Sequence, residues 1–343
     1  MSAPEKLGRP TVDIVLSTFN EEHYIERCLD QVIGQDYPPD LVRIWLVDGG
    51  SSDRTVEIVR RRAEAEPRLE VIAERGRLNL PEALNLAIAG SSGDLVAKID
   101  AHGYPEGDFV SRAVEAIESG GSEVGCVGGM PEQEGETRFG EALALARASA
   151  FGVGGGTYAI KGDREFVPSV QCGVYRRSVL EHVGPFDPEM NFGEDDELDW
   201  RVTQGGYRIL LDRRIRFHYI TRPTWKAAYR QYRNYGEARV NVVRRHPAFL
   251  RPHHLIPAVF VTGVGALSTG AIVSRRARRP LAVLAAVYAA SATAAAAAAS
   301  REHDPSLIPL VASSFPALHA GYGIGMLRAV ARAAKRSRGG FRP

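Results

Sequence analysis

The first hundred residues alternate between short apolar runs and longer segments in which apolar side chains recur at helical spacing. The runs that predict buried strands are 12–16, 42–47, 69–73 and 95–99. The segments that predict helices are 20–33, which Asn20 or a neighbour would cap, 55–65 and 81–89. Strands that alternate with helices form a parallel sheet with helices on both faces, so we expect an α/β fold.

Polar side chains follow three of these predicted strands. The clusters are Ser17-Thr18-Phe19-Asn20, Asp48-Gly49-Gly50-Ser51 and Asp100-Ala101-His102. Because ligands of parallel sheets bind beyond the carboxyl ends of the strands, we expect the clusters to converge on one crevice. A hard divalent cation held by Asp100 and His102 could bridge the two phosphates of a nucleotide diphosphate. Taken alone, the same pattern is more typical of a turn that caps the next helix.

An acidic cluster lies at the start of another predicted helix. Residues 194–199 hold five carboxylates in six positions. Crowded like charges raise the pKa of at least one member, which favours proton acceptance from an acceptor hydroxyl. The alternative is a helix N-terminus whose acids favour the helix dipole and pair with Arg201.

Two further candidates lie between the acidic cluster and the C-terminal region. His218 follows the strand-like run 209–217, where a single histidine is more often structural than a ligand. The stretch 230–236 is basic and aromatic, and its alternative interpretation is a juxtamembrane helix in contact with lipid head groups.

The C-terminal region contains three apolar runs, 255–273, 281–299 and 307–329, each close to the roughly 20 residues that cross a bilayer. Residues 275–343 hold eleven Arg or Lys and two acids, a balance that suits an anionic membrane better than nucleic acid. Because basic loops favour the cytoplasm, we expect the second and third runs to span as a hairpin with 301–306 outside. The first run would then start and end inside, as a re-entrant or interfacial helix pair.

The same patterns predict how the chain is divided. We expect an N-terminal tail over 1–10, a catalytic domain over 11–245, and a juxtamembrane and membrane region over 246–343. The polar start and the three scattered cysteines favour a cytoplasmic catalytic domain at the inner membrane. The Gly-rich run 152–156 is expected to form a loop, either a lid over the substrate or a simple connector.

Several motifs, in this order and spacing, resemble one family. They are Val15-Leu16-Ser17-Thr18-Phe19-Asn20-Glu21-Glu22, Val47-Asp48-Gly49-Gly50-Ser51-Ser52-Asp53-Arg54-Thr55, Ala83-Leu84-Asn85-Leu86-Ala87-Ile88, Lys98-Ile99-Asp100-Ala101-His102, Gly184-Pro185-Phe186-Asp187 and Glu194-Asp195. Over about residues 11–245 the chain resembles the inverting family 2 glycosyltransferases, especially the bacterial succinoglycan-type exopolysaccharide glucosyltransferases. The resemblance implies a GT-A fold, a Rossmann-like, mixed and mainly parallel sheet with helices on both faces, followed here by membrane helices.

The resemblance also implies a role for each matched residue. Asp195 would be the catalytic base. The donor would contact Thr18, Phe19, Glu21, Asp48 and Asp100. The acceptor or phosphate would contact Glu194, Trp200, Arg201, Gln231 and Arg233, the last two within a partial match to a Gln-x-x-Arg-Trp motif. The metal, Mg²⁺ or Mn²⁺, would be held by Asp100, His102 and His218.

Two departures from the family pattern leave alternatives open. Asp100-Ala101-His102 stands where the family usually has Asp-x-Asp, and Asp196, Glu197 and Asp199 compete with Asp195 as the base. The expected reaction is inverting transfer of a sugar, first of all glucose from UDP-glucose, to a lipid-linked or glycan acceptor. The alternatives are a nucleotidyltransferase, a non-catalytic sugar-nucleotide-binding scaffold and a transporter subunit.

Overall fold

The structure is a computed structural model that describes residues 8–73, 76–153 and 162–339. Most of the Gly-rich run predicted as a loop, and the first seven residues of the predicted tail, lie outside these ranges. The chain forms two compact units. We call Met1–Glu132 with Lys161–Tyr219 the sheet unit, and Gln133–Ile160 with Ile220–Pro343 the helical unit.

The described residues form one mixed sheet of nine strands. In chain order the strands are β1 Val12–Thr18, β2 Val42–Asp48, β3 Leu69–Ala73, β4 Leu95–Asp100, β5 Gly103–Pro105, β6 Val124–Glu134, β7 Arg164–Val167, β8 Gln171–Arg176 and β9 Arg208–Ile220. Their order is β3-β2-β1-β4-β8-β6-β9-β5, with β7 also paired to β9. Strands β3, β2, β1 and β4 are parallel, whereas β8 pairs antiparallel with β4 and β6. The predicted α/β class and mixed sheet are confirmed.

Helices in the sheet unit connect these strands. They are α1 Ile25–Ile33, α2 Thr55–Ala65, α3 Leu80–Gly90, α4 Phe109–Ser119, α7 Arg177–Val183 and α8 Glu194–Gln204. The apolar side of α1 is buried, which agrees with its spacing of apolar residues. Its predicted start at Asn20 is wrong: the helix begins at Ile25, and Asn20 has a left-handed backbone with φ 56°. Asn20 Oδ1 instead accepts a hydrogen bond from Ser52 N at 2.8 Å, so it shapes the loop after β2.

The helical unit contains α5 Arg138–Ala148, α6 Ala150–Val153, α9 Trp225–Arg245, α10 Ile256–Val273, α11 Arg275–Ala299 and α12 Ile308–Gly339. Its core joins alanine and aromatic side chains of α5, α9, α11 and α12. Glycines bring α9 and α12 into backbone contact, since any side chain at Gly236 or Gly325 would overlap a carbonyl oxygen of the other helix. The unit boundary therefore differs from the predicted one at 245, because α5 and α9 pack with the C-terminal helices.

Among the residues that the structure describes, three helices are long and apolar enough to cross a membrane, judged by length and composition: Pro252–Val273, Arg275–Ala299 and Pro305–Lys335. Nearly all of the first two faces outward, with 6% and 11% of their apolar windows buried, whereas 44% of the third is buried. Arg138 at the start of α5 pairs with Asp304 between α11 and α12 at 3.2 Å. Trp225 Nε1 donates to the carbonyl of Ser313 at 3.0 Å.

Candidate active site

The strand register brings the three predicted polar clusters to one edge of the sheet. Thr18, the last residue of β1, lies opposite Asp48 of β2, and Ser17 lies opposite Asp100 of β4. These pairs stand at the carboxyl ends of parallel strands, where the sequence predicted the crevice. The convergence of the clusters is therefore a consequence of register alone.

Asp48 organises the loop that follows β2. Its side chain is buried and accepts hydrogen bonds from Gly50 N at 2.9 Å, Ser51 N at 2.8 Å and Ser51 Oγ at 2.5 Å. Thr18 Oγ1 donates to the same carboxylate at 3.3 Å. Both oxygens of Asp48 are thus engaged within the protein, and Thr18 is equally buried. These two predicted donor-binding residues shape the crevice wall.

Phe19 and Glu21 extend from the loop after β1. The Phe19 ring is 41% exposed, and the Arg77 guanidinium lies 4.9 Å from its centroid. An exposed aromatic ring at this edge offers a flat surface on which a nucleotide base can stack. Glu21 Oε1 lies 3.3 Å from His102 Nδ1.

His102 follows β4 and is held on both sides. Its Nδ1 faces Glu21, and its Nε2 lies 3.4 Å from the Tyr219 hydroxyl. Burial acts to lower the pKa of His102, but Tyr219, Glu21 and Asp100 outweigh burial and raise the pKa to about 9. The imidazole is therefore protonated at neutral pH when no metal is bound.

A buried lysine lies between Asp100, the carboxylate expected to hold a metal ion, and the acidic helix α8. Lys98 Nζ is 2.9 Å from Asp100 Oδ1, 2.8 Å from Asp195 Oδ2 and 3.7 Å from Glu194 Oε1. Burial acts to lower the pKa of Lys98, but the three carboxylates outweigh it and hold the pKa well above its usual value. Lys98 is not among the predicted site residues, although its spacing of two from Asp100 puts both side chains on one face of β4.

The acidic helix α8 begins as predicted at Glu194. Burial, with Asp195 second, raises the pKa of Glu194 to about 8. Burial also raises the pKa of Asp195, although the Lys98 charge offsets part of the effect. Asp195 Oδ1 is buried and has no hydrogen-bond partner among the residues that the structure describes. Asp195 thus has one oxygen fixed by Lys98 and the other buried without a hydrogen-bond partner among the described residues.

The competing acids of α8 have structural contacts. Glu197 is buried and binds Arg201 at 2.7 Å. Asp199 is fully buried and accepts hydrogen bonds from Val170 N and the Tyr175 hydroxyl, both at 2.9 Å. These contacts account for two of the three rivals of Asp195, while Asp196 stays partly exposed.

Arg201 does not have the free guanidinium that a phosphate contact needs. Besides Glu197, it donates to the carbonyls of Val183, Gly184 and Pro185 at 2.7–2.9 Å. The predicted phosphate role of Arg201 is therefore not supported, because its donors hold the turn before α8. Trp200 is half-buried on the same helix, and its carbonyl accepts a hydrogen bond from Thr203 Oγ1.

Asn85 of α3 links two of the family-like motifs. Its side-chain amide donates to the carbonyl of Phe186 at 2.7 Å, and its Oδ1 accepts from Phe186 N at 2.9 Å. This pair of hydrogen bonds fixes the 184–187 turn against α3. The contact between the two motifs joins residues 101 positions apart, so the motifs alone do not predict it.

His218 lies elsewhere than predicted. It sits on β9 next to Tyr219, and because neighbouring side chains of a strand face opposite sides, it points away from the side on which Tyr219 meets His102. Its Nε2 is 3.5 Å from Glu106, and its Nδ1 is 3.8 Å from Glu132. Arg216 pairs with both glutamates. The structure therefore does not bring His218 together with Asp100 and His102.

Known proteins are similar to this chain in sequence and in fold. The sequence matches the model of Glycosyl transferase family 2 over residues 13–184, the segment that contains β1, β2 and β4. It is 32% identical over 278 residues to the succinoglycan biosynthesis protein ExoA of Rhizobium meliloti, covering 80% of this chain and 82% of that protein. The chain belongs to glycosyl transferase family 2.

Two other proteins are similar to this glycosyltransferase, one in sequence and one in fold. A dolichyl N-acetyl-alpha-D-glucosaminyl phosphate 3-beta-D-2,3-diacetamido-2,3-dideoxy-beta-D-glucuronosyltransferase of Methanococcus voltae is 26% identical over 240 residues, covering 68% of this chain and 74% of that protein. The mannosyltransferase PcManGT of Pyrobaculum calidifontis, solved in complex with GDP-Man and Mn²⁺, superposes with a TM-score of 0.66. At 23% identity, covering 96% of this chain and 89% of that one, it shares the fold. The chain is thus a glycosyltransferase of the predicted GT-A type.

The glycosyltransferase offers one carboxylate that fits a divalent cation. Mg²⁺ and Mn²⁺ prefer oxygen ligands and commonly share their coordination with substrate phosphates and water. Asp100, with its side chain 22% exposed at the end of β4, is suited to that arrangement. His102 is less suited, because a ligating imidazole must be neutral and both of its ring nitrogens already face side chains.

Gln231 and Arg233 belong to the helical unit of the glycosyltransferase. Gln231 is largely buried and donates to the Tyr235 hydroxyl at 3.1 Å, one turn along α9. Arg233 lies 3.9 Å from Glu237, which also pairs with Arg328 and Arg332 of α12. Both predicted acceptor-binding residues therefore take part in contacts within α9 or between α9 and α12.

Proposed function

We propose that this glycosyltransferase transfers a hexose from a nucleotide diphosphate donor, first of all glucose from UDP-glucose, with inversion at the anomeric carbon. The proposed acceptor is a hydroxyl of a lipid-linked or oligosaccharide intermediate in exopolysaccharide or cell-envelope glycan synthesis. The succinoglycan biosynthesis relative supports an exopolysaccharide setting, and the dolichyl-phosphate relative supports a lipid-linked acceptor.

The observation that carries the proposal is the state of Asp195. A general base needs an accessible lone pair and a pKa above that of an ordinary carboxylate. Burial raises the pKa of Asp195, its side chain is 22% exposed, and Oδ1, although buried, has no hydrogen-bond partner among the described residues. We therefore assign the base to Asp195 rather than to Glu197 or Asp199, whose oxygens hold structural contacts.

The proposed step is a single displacement. Asp195 Oδ1 takes the proton from the acceptor hydroxyl as its oxygen forms a bond to the anomeric carbon. The bond from that carbon to the donor phosphate breaks, and its electron pair leaves with the nucleotide diphosphate. Phe19 stacks on the base, while Thr18 and Asp48 hold the loops of the pocket.

Asp100 would hold Mg²⁺ or Mn²⁺, which neutralises charge on the diphosphate when bound. Glu21 keeps His102 next to Asp100, and the protonated imidazole adds a positive charge at the same edge of the sheet. The cation held by Asp100 and the protonated His102 would both favour an anionic ligand at this edge of the sheet. The second candidate donor is GDP-mannose, which the structural neighbour binds.

The test is a donor screen on solubilised enzyme with UDP-, GDP- and dTDP-sugars, with EDTA, Mg²⁺ or Mn²⁺, in which nucleotide diphosphate release is measured. We expect UDP-glucose to be turned over fastest, and a preference for GDP-mannose would replace the donor while keeping the mechanism. Consumption of nucleoside triphosphates with release of pyrophosphate would indicate a nucleotidyltransferase, and no release from any donor would indicate a scaffold.

The Asp195→Asn variant tests the base. We expect turnover to fall roughly 10²–10⁴-fold, the usual contribution of a general base, with donor affinity unchanged in a binding titration. Asp196→Asn is the companion variant, because it alters the neighbouring acid of the same helix. If turnover is lost in Asp196→Asn and kept in Asp195→Asn, the base assignment moves to Asp196.

We further propose that the catalytic part lies on the cytoplasmic face and that α12 lies along the membrane surface with α9. Contacts of α12 follow α9 over several turns, from Ser313 next to Trp225 to Arg332 next to Glu237. If α12 crossed the bilayer, α9 would carry its charged residues into hydrocarbon at about 2.5–3.5 kcal/mol each. This placement of α12 differs from the expected hairpin, in which the second and third apolar runs cross the membrane.

Membrane contact in this proposal comes mainly from α10 and α11. Their outward-facing surfaces include Ile256, Val259, Ile272 and Val283, which are all more than 60% exposed. Apolar helices of this kind enter the interface, while arginines at their ends contact anionic head groups. The Arg275–Arg279 cluster at the start of α11 is placed for such a contact.

A further inference from the structure

Lys98 holds three carboxylates together at the centre of the sheet unit's crevice. Only 2% of its side chain is exposed, and its ammonium contacts Asp100, Asp195 and Glu194. A lysine is rarely buried unless its charge is balanced, because desolvation of an ammonium costs several kcal/mol. The three acids supply that balance, and without Lys98 they would be crowded negative charges that no longer share an ammonium.

The geometry of the ammonium distinguishes the two oxygens of Asp195. Lys98 Nζ contacts Oδ2 at 2.8 Å, whereas Oδ1 has no hydrogen-bond partner among the described residues. A carboxylate fixed through one oxygen cannot rotate freely about its Cβ–Cγ bond. The free oxygen therefore keeps one direction relative to Asp100, which the same ammonium contacts at 2.9 Å.

We propose that Lys98 is a positioning residue that orients Asp195 for proton acceptance and fixes its distance from the donor-binding carboxylate Asp100. The inference rests on the proposed role of Asp195 as the base. In this proposal Lys98 holds Oδ2 and thereby fixes the direction of the unpaired Oδ1, which would accept the proton. Its charge also balances Asp100, so it limits how strongly that carboxylate attracts a divalent cation before the donor arrives.

The geometric and electrostatic parts of this role predict different results for two variants. Lys98→Arg keeps the charge but replaces a compact ammonium with a planar guanidinium. Lys98→Met removes the charge and keeps an unbranched side chain of similar length. Lys226→Met is the matched control, because Lys226 is an exposed lysine at the start of α9.

The measurements are kcat and KM for the donor, Mn²⁺ affinity by titration without donor, and thermal unfolding. For Lys98→Arg we expect kcat to fall roughly 100-fold, the usual effect of a 1 Å displacement of a reacting group. Its Mn²⁺ affinity and KM should stay within about threefold of wild type, which is under 1 kcal/mol. For Lys98→Met we expect the same loss of kcat together with Mn²⁺ binding that is roughly tenfold tighter, because three carboxylates lose their cation.

A purely structural role would weaken Mn²⁺ binding and lower the unfolding temperature together with kcat, and that result overturns the inference. Wild-type kcat in Lys98→Arg also overturns it, even if Lys98→Met does not fold. The Asp195→Asn variant distinguishes a failure of the proposed base from a failure of the proposed role of Lys98. If Asp195→Asn is inactive while both Lys98 variants turn over normally, only the role of Lys98 is wrong. If Asp195→Asn is active, the proposed base itself is wrong.

Discussion

Two groups of side chains at the sheet edge differ in their contacts, those with all polar atoms engaged and those with a free surface. Asp48 and Arg201 belong to the first group, since their oxygens and nitrogens bind the protein itself. Phe19 belongs to the second group, and Asp195 to neither, since its Oδ1 is buried but has no hydrogen-bond partner among the described residues. A motif in the sequence gives the residue types but not which polar atoms are engaged: Asp48 binds its own loop, whereas Arg201 donates to carbonyls 16–18 positions earlier.

We expect Phe19→Ala to raise the donor KM about tenfold, equivalent to about 1.4 kcal/mol, with little change in kcat, since the lost interaction is stacking on the base. Phe19→Tyr should retain the wild-type KM. Phe166→Ala is the matched control, because Phe166 is 40% exposed and also lies beneath an arginine, Arg208 at 3.2 Å. Equal KM values for Phe19→Ala and Phe166→Ala would contradict a donor contact by Phe19.

Asp199 gives a pH-dependent prediction. Burial raises its pKa to about 8, although hydrogen bonds from Val170 and Tyr175 act against the change. The folded state therefore binds more protons than the unfolded state between roughly pH 4 and the folded pKa, so stability falls as pH rises through this range. Between pH 5 and 8, we expect the free energy of unfolding of wild type to fall by more than about 1 kcal/mol relative to that of Asp199→Asn.

The measurement for Asp199 is urea unfolding of both detergent-solubilised proteins at several pH values. Asparagine cannot ionise, so the difference between the two proteins isolates Asp199 from Glu194 and Asp195, whose pKa values are also raised. A difference that does not change with pH would mean that Asp199 keeps one ionisation state throughout.

At the scale of elements, the close approach of α9 and α12 depends on glycine. Gly325 faces the backbone of Arg233, and a Cβ there would overlap its carbonyl oxygen. We expect Gly325→Ala to separate the helices and destabilise the protein by roughly 1–3 kcal/mol, the usual effect of overpacking. Gly263→Ala on α10 is the matched control, since no atom of the described part of the chain lies within 4 Å of a Cβ at that position.

The Gly263→Ala control should be neutral or slightly stabilising, because alanine favours helices over glycine by about 0.5–1 kcal/mol. Thermal unfolding of both solubilised variants measures the difference. If the two substitutions have the same effect, the glycine contact between α9 and α12 does not form as the structure describes.

The strands and helices could be predicted from the sequence where neighbouring residues determine them. The first four strands match their apolar runs to within two residues, because burial on both faces of a parallel sheet requires continuous apolar sequence. The start of α1 was not predictable, since Asn20 bonds to Ser52 rather than to its own helix. Lys98 was not predictable as part of the site because its partners Glu194 and Asp195 lie almost a hundred residues later.

The boundary between the sheet unit and the helical unit could not be predicted from the sequence pattern either. Helix α9 has an ordinary amphipathic composition that fits either a catalytic domain or a membrane region. Its assignment follows from the glycines of α12, which allow backbone contact over several turns. Apolar runs alone indicate membrane contact, whereas whether a run crosses the bilayer depends on what packs beside it.

At the scale of the whole molecule, the helical unit constrains the direction in which the chain meets the membrane. Arg138 follows the end of β6 by four residues and pairs with Asp304 at 3.2 Å. Asp304 belongs to the segment 301–306, which the hairpin prediction put outside the cell. The ion pair requires this segment to lie on the same side of the membrane as the start of α5.

A cysteine introduced at His303 distinguishes the two arrangements. We expect His303→Cys to react with a membrane-impermeant maleimide only after the cytoplasmic face is exposed, because it neighbours Asp304. Lys335→Cys is the reference, since both arrangements put that position on the cytoplasmic side. The native Cys28, Cys126 and Cys172 are buried, so their background labelling should be low. Labelling of His303→Cys in intact cells, with Lys335→Cys protected, would restore the spanning hairpin and separate Arg138 from Asp304.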